Sequence, residues 1–528
     1  MNDTKIASKA KAQLANFMGK VFTHFSRPGM RFIEECIYGI QASGDTKLSS
    51  IVRAIDDDIR PIYTEKRLSR NLDDDMLGQA VAGAVLGNGA RFVRHDTLLL
   101  VDPTEIRKEF AHAMEHVTLV RDASRSSKEG RDVLVNGYHG CMVAACRIGG
   151  RKTVPLALKL WSSRAPGFKG ENDEVLETIK AVYGATGGKG VTVYDRGGDR
   201  PAFYDYLIGE ARDFVIRLKG RSVLSWRGMH EVHDLARECT MRHAHHVTFD
   251  SHGRECDVPI SFGAMPVRLP AHPEKELHMV VVKGFGQEPM LLITSLPVNG
   301  SFESQWRVIE AYLSRWRVEE TIRFVKQSYG LENIRVMSYT RIRNMASLVL
   351  ASAYFATVWI GRSVRREVLA EHLTRLGKRL GEVPEFAAYA IADGIKRAFT
   401  RFGKWVRATA EVIAAKPEPA TEPLLPGSRT SSTTTTDSPF QPESGENHFP
   451  KRTHPFICRL TPHFRAQKMG KLQVKLKLKQ NPENMAFSGD CVSMVRLTGI
   501  EPATFGFGGQ RSIQLSYSRI AATRRRAT

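Results

Sequence analysis

The feature that most constrains the fold is a run of alternating strand-like and helix-like segments between residues 96 and 220. Its first segment, T-L-L-L-V-D-P, is an apolar run that ends in an acid, Asp102, and it predicts a buried strand with Asp102 at its carboxyl end. Apolar runs predict further strands at 140–148, 152–162, 190–195 and 213–220. Amphipathic spacing predicts helices at 171–184, ended by Gly184, and at 201–211. Together these segments predict an α/β fold with a central mixed sheet.

The chain on either side of this run has a different character. Residues 1–90 predict short helices with Lys and Arg on exposed faces, which suits either a DNA-binding bundle or a plain helical cap. Residues 221–300 contain Gly, His and Pro and have strand-like segments at 278–285 and 290–297, which predicts a β-rich insertion. From about residue 416 the chain is rich in Pro, Ser and Thr, so we expect a disordered low-complexity tail.

A second distinctive stretch runs from Tyr312 to Glu332. It has a helical rhythm and no proline, and it is predicted to form one helix. The side chains of Tyr312, Arg315, Glu319 and Lys326 would lie on one stripe of that helix, within an arc of about 60°. A plain amphipathic helix has leucines on its buried stripe, so this polar stripe indicates a functional role.

Three acids are candidates for catalysis. Asp102 and Asp195 end strands of the same predicted sheet, and Glu319 lies on the polar stripe. Ligands of open α/β sheets gather at the carboxyl ends of strands, and neighbouring carboxylates repel one another unless a cation neutralises them. Hard oxygen ligands select Mg²⁺ or Mn²⁺, and two such ions about 3.5–4 Å apart can break and join phosphodiesters. We therefore expect the three acids to be catalytic residues and ligands of two metal ions.

Each acid also has a simpler explanation. Asp102 could end a strand or cap a turn before Pro103, and Asp195 could open a glycine turn. Glu319 could pair with an arginine four residues away on either side, on a solvated helix face. The joint order, spacing and sheet context of the three acids favour a catalytic site over these separate explanations.

Charge and cysteine content limit the partners and the compartment. The 528-residue chain has a formal net charge of +21 and a pI of about 9.7, which favours nucleic acid as a partner over a merely basic tail. Seven cysteines argue against a disulfide framework, and no signal peptide is seen, so we expect a cytoplasmic protein. The uncharged stretch 344–361 approaches the length of a membrane span. We expect it to be a buried core helix, because it contains Asn, Ser and Thr and directly follows a charged helix.

The residues described above resemble a known family, the DDE transposases of bacterial insertion sequences, in the insertion sequence 4 family. The third acid of that family lies in the pattern Y-x2-R-x3-E-x6-K, which Tyr312, Arg315, Glu319 and Lys326 match without departure. Its second acid commonly opens a D-R-G turn, as Asp195 does here, and its first acid ends a buried strand. The resemblance therefore extends over all three acids.

The resemblance spans roughly residues 90–370 and implies a ribonuclease-H-like fold with Mg²⁺-dependent chemistry on double-stranded DNA. It implies that the three acids hold the metal ions. It also implies that Arg315 and Lys326 grip phosphates near the scissile bond, with Tyr312 beside them, which agrees with the phosphate chemistry of Arg and Lys. Family members bring two transposon ends together, so a homodimeric synaptic complex is expected.

The predicted fold class is thus α/β, with a ribonuclease-H-like catalytic core, a β-rich insertion, an N-terminal helical domain and a disordered C-terminal tail. The predicted regions are the helical, candidate DNA-binding domain 1–90, the first part of the core 91–220, the insertion 221–300, the second part of the core 301–370, a helical region 371–415 and the tail 416–528.

Residues near the start of the insertion are further candidates for contact with DNA. Lys219 and Arg221, with Arg217 before them, could bind DNA, and Trp226 could stack on a base flipped from the transposon end. Packing in the core is the alternative for Trp226. A set of Cys and His side chains between 239 and 256 invites a zinc interpretation. Its spacing matches no common structural zinc site, so we expect polar strands and loops there.

The end of the chain poses a separate question. The segment G-I-E-P-A-T-F-G-F-G-G-Q-R-S-I-Q-L-S-Y, 499–517, resembles the translation of a tRNA gene read on its antisense strand. One hypothesis is that the reading frame runs into flanking DNA and that residues beyond about 415 have no selected function. The alternative is a basic DNA-binding tail that ends in R-R-R.

The predicted function is that of a DNA transposase that cuts transposon ends and transfers the strands into target DNA. Two alternatives remain open at this point. One is a catalytically silent DNA-binding protein derived from a transposase, against which the presence of all three acids argues. The other is a metal-dependent nuclease without strand transfer, which only the reaction products would distinguish.

Overall fold

The computed structural model describes residues 3–122, 125, 132–150, 152–251, 254–376 and 387–401. The predicted tail 416–528 lies outside the described residues, as does part of the region 371–415.

Five helices open the chain and confirm the predicted helical N-terminal part. They are α1 Asp3–Val21, α2 Arg27–Ser43, α3 Leu48–Ile55, α4 Pro61–Asn71 and α5 Leu77–Ala90. The sequence patterns predicted short helices in this part without fixing their bounds. Four glycines in α5 argue against a helix by propensity. Two of them lie close to neighbouring side chains, because a Cβ at Gly78 would lie 2.3 Å from Asn344 Oδ1 and one at Gly89 would lie 2.7 Å from Leu156 Cδ2.

The predicted strand and helix series follows. Its elements are β1 Leu98–Arg107, β2 Thr118–Arg121, β3 Leu134–Cys146, β4 Thr153–Trp161, α6 Glu171–Thr186, β5 Val191–Tyr194, α7 Pro201–Gly209 and β6 Asp213–Arg217. Two predicted ends were wrong. β1 does not end at Asp102 but continues to Arg107, because it stays paired with β3 along its whole length. α6 continues past Gly184 and ends at Thr186, followed by Gly187 with a left-handed φ of 63°.

These strands form a mixed sheet in the order β2-β3-β1-β5-β6, with β4 paired to β3. β3 runs antiparallel to β1, whereas β5 and β6 run parallel to it. Leu100 of β1 is paired with Val193 of β5, and Tyr194 of β5 with Ile216 of β6. This arrangement, three antiparallel strands with two parallel strands added beyond the first, is the one expected of a ribonuclease-H-like core, and it confirms the α/β class.

The segment predicted as a β-rich insertion is indeed rich in strands. Its elements are β7 Ser222–Ser225, β8 Gly228–Glu231, α8 Val232–Arg237, β9 His243–Ser251, β10 Arg254–Leu269, β11 His272–Lys283 and β12 Met290–Thr294. β12 pairs antiparallel with β6, and β11, β10, β7 and β8 follow in order. The strands of this segment therefore extend the core sheet instead of forming a separate one.

The last described helices are α9 Phe302–Leu313, α10 Trp316–Ser328, α11 Tyr339–Tyr354, α12 Arg362–Leu376 and α13 Ala388–Arg401, with a π-helical turn at Phe355–Trp359. The prediction of one continuous helix from Tyr312 was wrong. α9 ends and α10 begins on either side of a tight turn, in which the Arg315 N–H donates to the Tyr312 carbonyl three residues back.

The uncharged stretch after residue 344 packs inside the fold, as predicted. Residues 344–356 are all buried, and α11 packs against α5, α2 and β4. In the described part of the chain, no helix on its own is long and apolar enough to cross a membrane. Tyr339–Trp359 and Arg362–Leu369, bent by 93°, meet those criteria only as a pair.

Candidate active site

The turn between α9 and α10 lies beside Asp102 of β1, with which Arg315 of the turn is paired. α9 packs against β5, β6 and β12, and α10 packs against β1 and β3. Tyr312 is in the last turn of α9, Arg315 occupies the N-cap position of α10, and Glu319 is in the first turn of α10. The break between the two helices thus places these side chains around one point of the sheet, although they do not share one helix.

Arg315 lies at the centre of this group of side chains. Its side chain is buried, with 4% of the residue exposed. Nη1 lies 3.4 Å from Asp102 Oδ1, and Nη2 donates to Glu319 Oε1. Burial alone would lower the pKa of Arg315, but the charges of Glu319 and Asp102 outweigh it and raise the pKa. The guanidinium therefore stays charged and neutralises two of the three predicted catalytic acids.

Asp102 is the most strongly perturbed acid of the site. Burial raises the pKa of its carboxyl well above the ordinary 3.8, Arg315 acts against that rise, and the charges of Glu319 and Asp195 add to it. The mutual repulsion of the three carboxylates means that the fold has brought together residues distant in sequence. One arginine does not compensate their combined charge.

Asp195 is held by the turn that follows β5. Residues Arg196–Gly198 form one 3₁₀ turn, and Asp195 Oδ1 accepts the Gly197 N–H at 2.8 Å. A Cβ at Gly198 would lie 2.6 Å from Cδ1 of the buried Tyr194 ring, so only glycine allows the turn to fold back on the strand. The D-R-G-G sequence thus fixes where the carboxylate of Asp195 emerges.

The donor set fits a hard divalent cation. Carboxylate oxygens are the ligands that Mg²⁺ and Mn²⁺ prefer. Burial is the main cause of the raised pKa of Asp102, and the repulsion by Glu319 and Asp195 that adds to it is of the kind that a cation relieves. Within the described ranges, no three His, Cys, Asp or Glu side chains already stand at metal-binding distances. Arg315 lies between Asp102 and Glu319 and separates their oxygens.

The other residues of the predicted Y-R-E-K pattern lie around this centre. Tyr312 is fully buried, and its ring centroid is 6.0 Å from the guanidinium carbon of Arg315. Lys326, two turns further along α10, is paired with groups other than the three candidate catalytic acids. Its Nζ donates to the Glu105 carbonyl at 2.6 Å and lies 3.4 Å from Glu332 Oε1. Lys326 therefore lies against β1, beyond Asp102 along the strand.

One residue that the sequence patterns did not single out ties the site to the insertion. Asp199 closes the D-R-G-G-D segment, and its buried carboxylate accepts the Lys219 N–H at 2.7 Å, pairs with Arg221 at 2.7 Å and accepts the Tyr204 hydroxyl at 3.1 Å. It links the turn of Asp195 to the β7–β8 hairpin. The sequence signal that could have pointed to Asp199 was the second acid of the D-R-G-G-D segment.

Trp226 is at the tip of that hairpin. It is 65% exposed and stacks with Arg227 at 5.3 Å, which excludes the alternative that it packs in the core. The side chain of Lys219, at the start of the hairpin, is also exposed.

The described histidines of the Cys and His set make separate contacts. The ring of His245 lies 4.4 Å from that of Trp306, His246 Nδ1 lies 2.8 Å from Asp257 Oδ2, and His243 Nε2 lies 2.9 Å from the Gly300 carbonyl.

Comparison with known proteins adds independent information. Residues 94–355 match the family model described as a transposase DDE domain, and this range includes all three acids and the α9–α10 turn. No curated protein matches the chain. The cryo-electron microscopy structure of a piggyBac transposase synaptic complex with hairpin DNA aligns with a TM-score of 0.34 and 8% identity, over 82% of this chain and 88% of that chain. A TM-score this low is too weak to support a functional comparison.

Proposed function

From the premise that residues 94–355 make this chain a DDE-type transposase, we propose that it cuts DNA at the ends of an insertion sequence and transfers the freed ends into target DNA. We further propose that it belongs to the insertion sequence 4 group, because its sequence fits the Y-R-E-K pattern at Tyr312, Arg315, Glu319 and Lys326.

The observation that supports this proposal best is the shared environment of the three acids. Asp102, Asp195 and Glu319 come from β1, the turn after β5 and α10, and all three act on the buried guanidinium of Arg315. Acids that only ended strands or faced solvent would not need a common cation. A site that gathers acids from two neighbouring strands and a helix supports catalysis.

The three carboxylates are the proposed ligands of Mg²⁺ or Mn²⁺, with two ions bound in the active state. The bound ions would supply a deprotonated nucleophile and stabilise the leaving oxygen of the phosphodiester. The chain's own contribution is to bring the three carboxylates to one place and to hold the Asp102 carboxylate in a largely buried position, with 17% of its side chain exposed.

The proposed DNA contacts surround these acids. When the carboxylates are neutralised by metal, Arg315 is free to exchange its carboxylate partners for a phosphate, which its planar fork binds well. Lys326 and Lys219 are proposed to contact phosphates further along the strand, and Tyr312 to position Arg315. The exposed Trp226 is proposed to stack on an unpaired base. The net charge of +21 favours such a polyanionic partner.

We also propose that the protein acts as a homodimer, because two transposon ends must be held together before strand transfer. The test is a measurement of the stoichiometry of the complex with end DNA by light scattering. Two chains and two end duplexes in one particle are expected, and one chain on one duplex would contradict the proposal.

The experiment that tests the function is product analysis with Mg²⁺, the full-length protein and a labelled duplex containing the sequence that flanks its gene. Strand-transfer products joined to a target plasmid are expected. Hydrolysis alone would identify a nuclease, and binding without cleavage would identify a catalytically silent protein; either result contradicts the proposal.

A further inference from the structure

The chain reverses direction directly after α10, and the reversal places an acid beside that helix. Gly330 has a left-handed φ of 62°, a conformation that favours glycine. The one-turn 3₁₀ helix Leu331–Asn333 follows, and its first side chain is buried. The middle residue of this turn is Glu332, whose carboxylate contacts both β1 and α10. The reversal thus returns Glu332 to the side of the helix that carries Lys326.

Glu332 is fixed to the end of β1 by two basic residues. Arg107, the last residue of β1, donates from Nε to Glu332 Oε1 at 3.3 Å and from Nη2 to Oε2 at 3.2 Å. The Lys108 ammonium donates to the Glu332 carbonyl at 2.7 Å. Burial alone would raise the pKa of Glu332, but the charges of Lys326 and Arg107 outweigh it and lower the pKa. Glu332 is therefore an ionised carboxylate in a fixed position, since an arginine that binds both oxygens sets orientation as well as charge.

Lys326 is held between this carboxylate and β1. Its Nζ lies 3.4 Å from Glu332 Oε1 and donates to the Glu105 carbonyl at 2.6 Å. These contacts use two of the three N–H groups of the ammonium, and the third has no partner among the residues that the structure describes. The side chain is 23% exposed. One donor of a fixed ammonium therefore remains for an anionic ligand.

Fixing a lysine before the substrate arrives favours binding. A mobile lysine side chain samples many rotamers, and a phosphate that binds it must overcome the loss of that freedom. A contact to a carboxylate that is itself fixed removes this cost from the binding step. Arg107 is in turn paired at 3.1 Å with Asp122, whose side chain is 2% exposed. A series of alternating charges thus connects Asp122, next to β2, to Lys326 on α10.

We propose that Glu332 is a positioning residue, which holds the ammonium of Lys326 so that its third N–H can donate to a DNA phosphate. This inference rests on the proposed function, in which Lys326 contacts the DNA backbone. Glu332 is negatively charged and does not itself bind DNA, so it acts through Lys326. The proposal differs from two other roles, in which Glu332 only fastens the turn to β1 or competes with phosphate for Lys326.

A double-mutant cycle distinguishes these roles. The full-length wild type, E332Q, K326M and the double variant are titrated with the end duplex in Ca²⁺, and their single-turnover cleavage rates are measured in Mg²⁺. Glutamine keeps the size of the side chain and one acceptor for Arg107 but loses the charge that holds Lys326. With Lys326 present, we expect E332Q to weaken DNA binding and to slow cleavage about tenfold, the effect of one charge-assisted contact. In the K326M background the same substitution should change neither value.

The salt dependence of the same titrations is a second readout. Loss of one phosphate contact lowers the slope of log affinity against log salt by about 1. We expect K326M to show this loss in full and E332Q to show part of it. E332Q should lower the slope no further when Lys326 is already absent.

E109Q is the matched control, because Glu109 is another acid of this group of ion pairs but is paired with Arg125, at 2.5 Å. E109Q should match the wild type in affinity, salt slope and cleavage rate. Melting curves are recorded for every variant, since a weaker contact with Arg107 can by itself lower the stability of E332Q. A structural effect of that kind would appear equally with and without Lys326.

Three results would overturn the proposal. Equal effects of E332Q in both backgrounds would show that Glu332 only fastens the turn. Tighter DNA binding by E332Q, in the presence of Lys326 alone, would show competition with phosphate. Equal affinity and slope in K326M and the wild type would show that Lys326 makes no DNA contact for Glu332 to position. Failure of the proposed function looks different: the wild type would bind the end duplex without cutting it, and the binding cycle would still report on Glu332.

Discussion

At the scale of single residues, Arg315 has the role that explains most of the site. It is buried between Asp102 and Glu319 and is their common counter-charge. In the family resemblance the same residue is expected to bind phosphate. Both roles are compatible if a divalent cation and the guanidinium compete for the same carboxylates. Arg315 would then keep the acids together before metal binds and hold the substrate afterwards.

This competition predicts an unusual effect of R315Q. With the guanidinium gone, Mn²⁺ should bind the DNA-free protein about tenfold more tightly or better, since a charge-assisted contact no longer has to be broken. Cleavage of end DNA should fall in the same variant, because a phosphate contact is lost. Isothermal titration with Mn²⁺ checks the first effect.

K326Q is the control for that titration, because Lys326 contacts the Glu105 carbonyl and Glu332 instead of the acids. Its Mn²⁺ affinity should equal that of the wild type. Unchanged or weaker Mn²⁺ binding by R315Q would show that Arg315 does not compete with metal.

At the scale of secondary-structure elements, short connections position the side chains of the proposed active site. The tight turn between α9 and α10 directs Arg315 to the acids, the 3₁₀ turn after β5 orients Asp195, and Asp199 joins that turn to the β7–β8 hairpin. Each connection is only a few residues long, so a change in one should move a proposed catalytic group without unfolding the sheet.

Gly198→Ala tests the turn after β5. A methyl group there would meet the buried Tyr194 side chain at 2.6–2.8 Å, and such overpacking costs about 1–3 kcal/mol. We expect lower stability and slower cleavage, because Asp195 must shift. Gly184→Ala is the matched control: it lies within α6 with no atom within 4 Å of the added Cβ, so it should stabilise the protein by about 0.5–1 kcal/mol. Chemical denaturation measures both. Equal stability and equal cleavage rates of the two variants would contradict this account.

Lys108 tests the connection after α10. Its buried Nζ donates to the carbonyls of Glu332 and Ile334, each at 2.7 Å, and burial lowers its pKa from 10.5 to about 7. Between these values the unfolded chain binds more protons than the folded one, so stability from this group rises with pH from about 7 to about 10.5. This contribution to the stability is lost as the pH falls from about 10.5 to about 7.

Lys108→Met should remove that dependence. The melting temperature of the wild type should therefore rise relative to that of the variant as the pH increases through this window. Melting curves recorded side by side in a series of buffers provide the measurement. If the melting temperatures of the two proteins change with pH in parallel, burial does not lower the pKa of Lys108.

The sequence predicted most core elements, because strand and helix patterns are local properties. It also singled out Asp102 and Glu319, which the structure places against Arg315. It did not show that β1 continues past Asp102, because that depends on the partner strand β3. It did not show the α9–α10 break, since Ser314 and Arg315 have ordinary helical propensities. Nor did it show that Arg315 is buried between two carboxylates, because burial and partners are set by the tertiary fold.

At the scale of the whole molecule, the described chain is organised around one continuous sheet. The strands of residues 222–294 extend the core sheet through the pairing of β12 with β6, so Arg217 on β6 lies between the acids and the insertion. The N-terminal helices pack on the later ones: α2 contacts α11 and α13, and α5 contacts α11. A change in the insertion can therefore reach the acids through a single strand.

The hypothesis that residues beyond about 415 have no selected function belongs to this scale. A chain that ends at residue 415 should melt at the same temperature as the full chain and cut end DNA at the same rate. If the tail is instead a DNA-binding arm, truncation should weaken binding and lower its salt slope. Comparing the two chains in the same cleavage and binding assays decides between these outcomes.

The most direct test of the central claim is a cleavage assay on end DNA with Mg²⁺ that compares the wild type with D102N, D195N and E319Q. The account predicts that each substitution abolishes cleavage while binding of the same duplex is largely retained, because each removes one carboxylate and leaves the basic surface intact. Normal cleavage by any one of the three variants would remove that residue from the catalytic set and contradict the claim that the three acids act as one site.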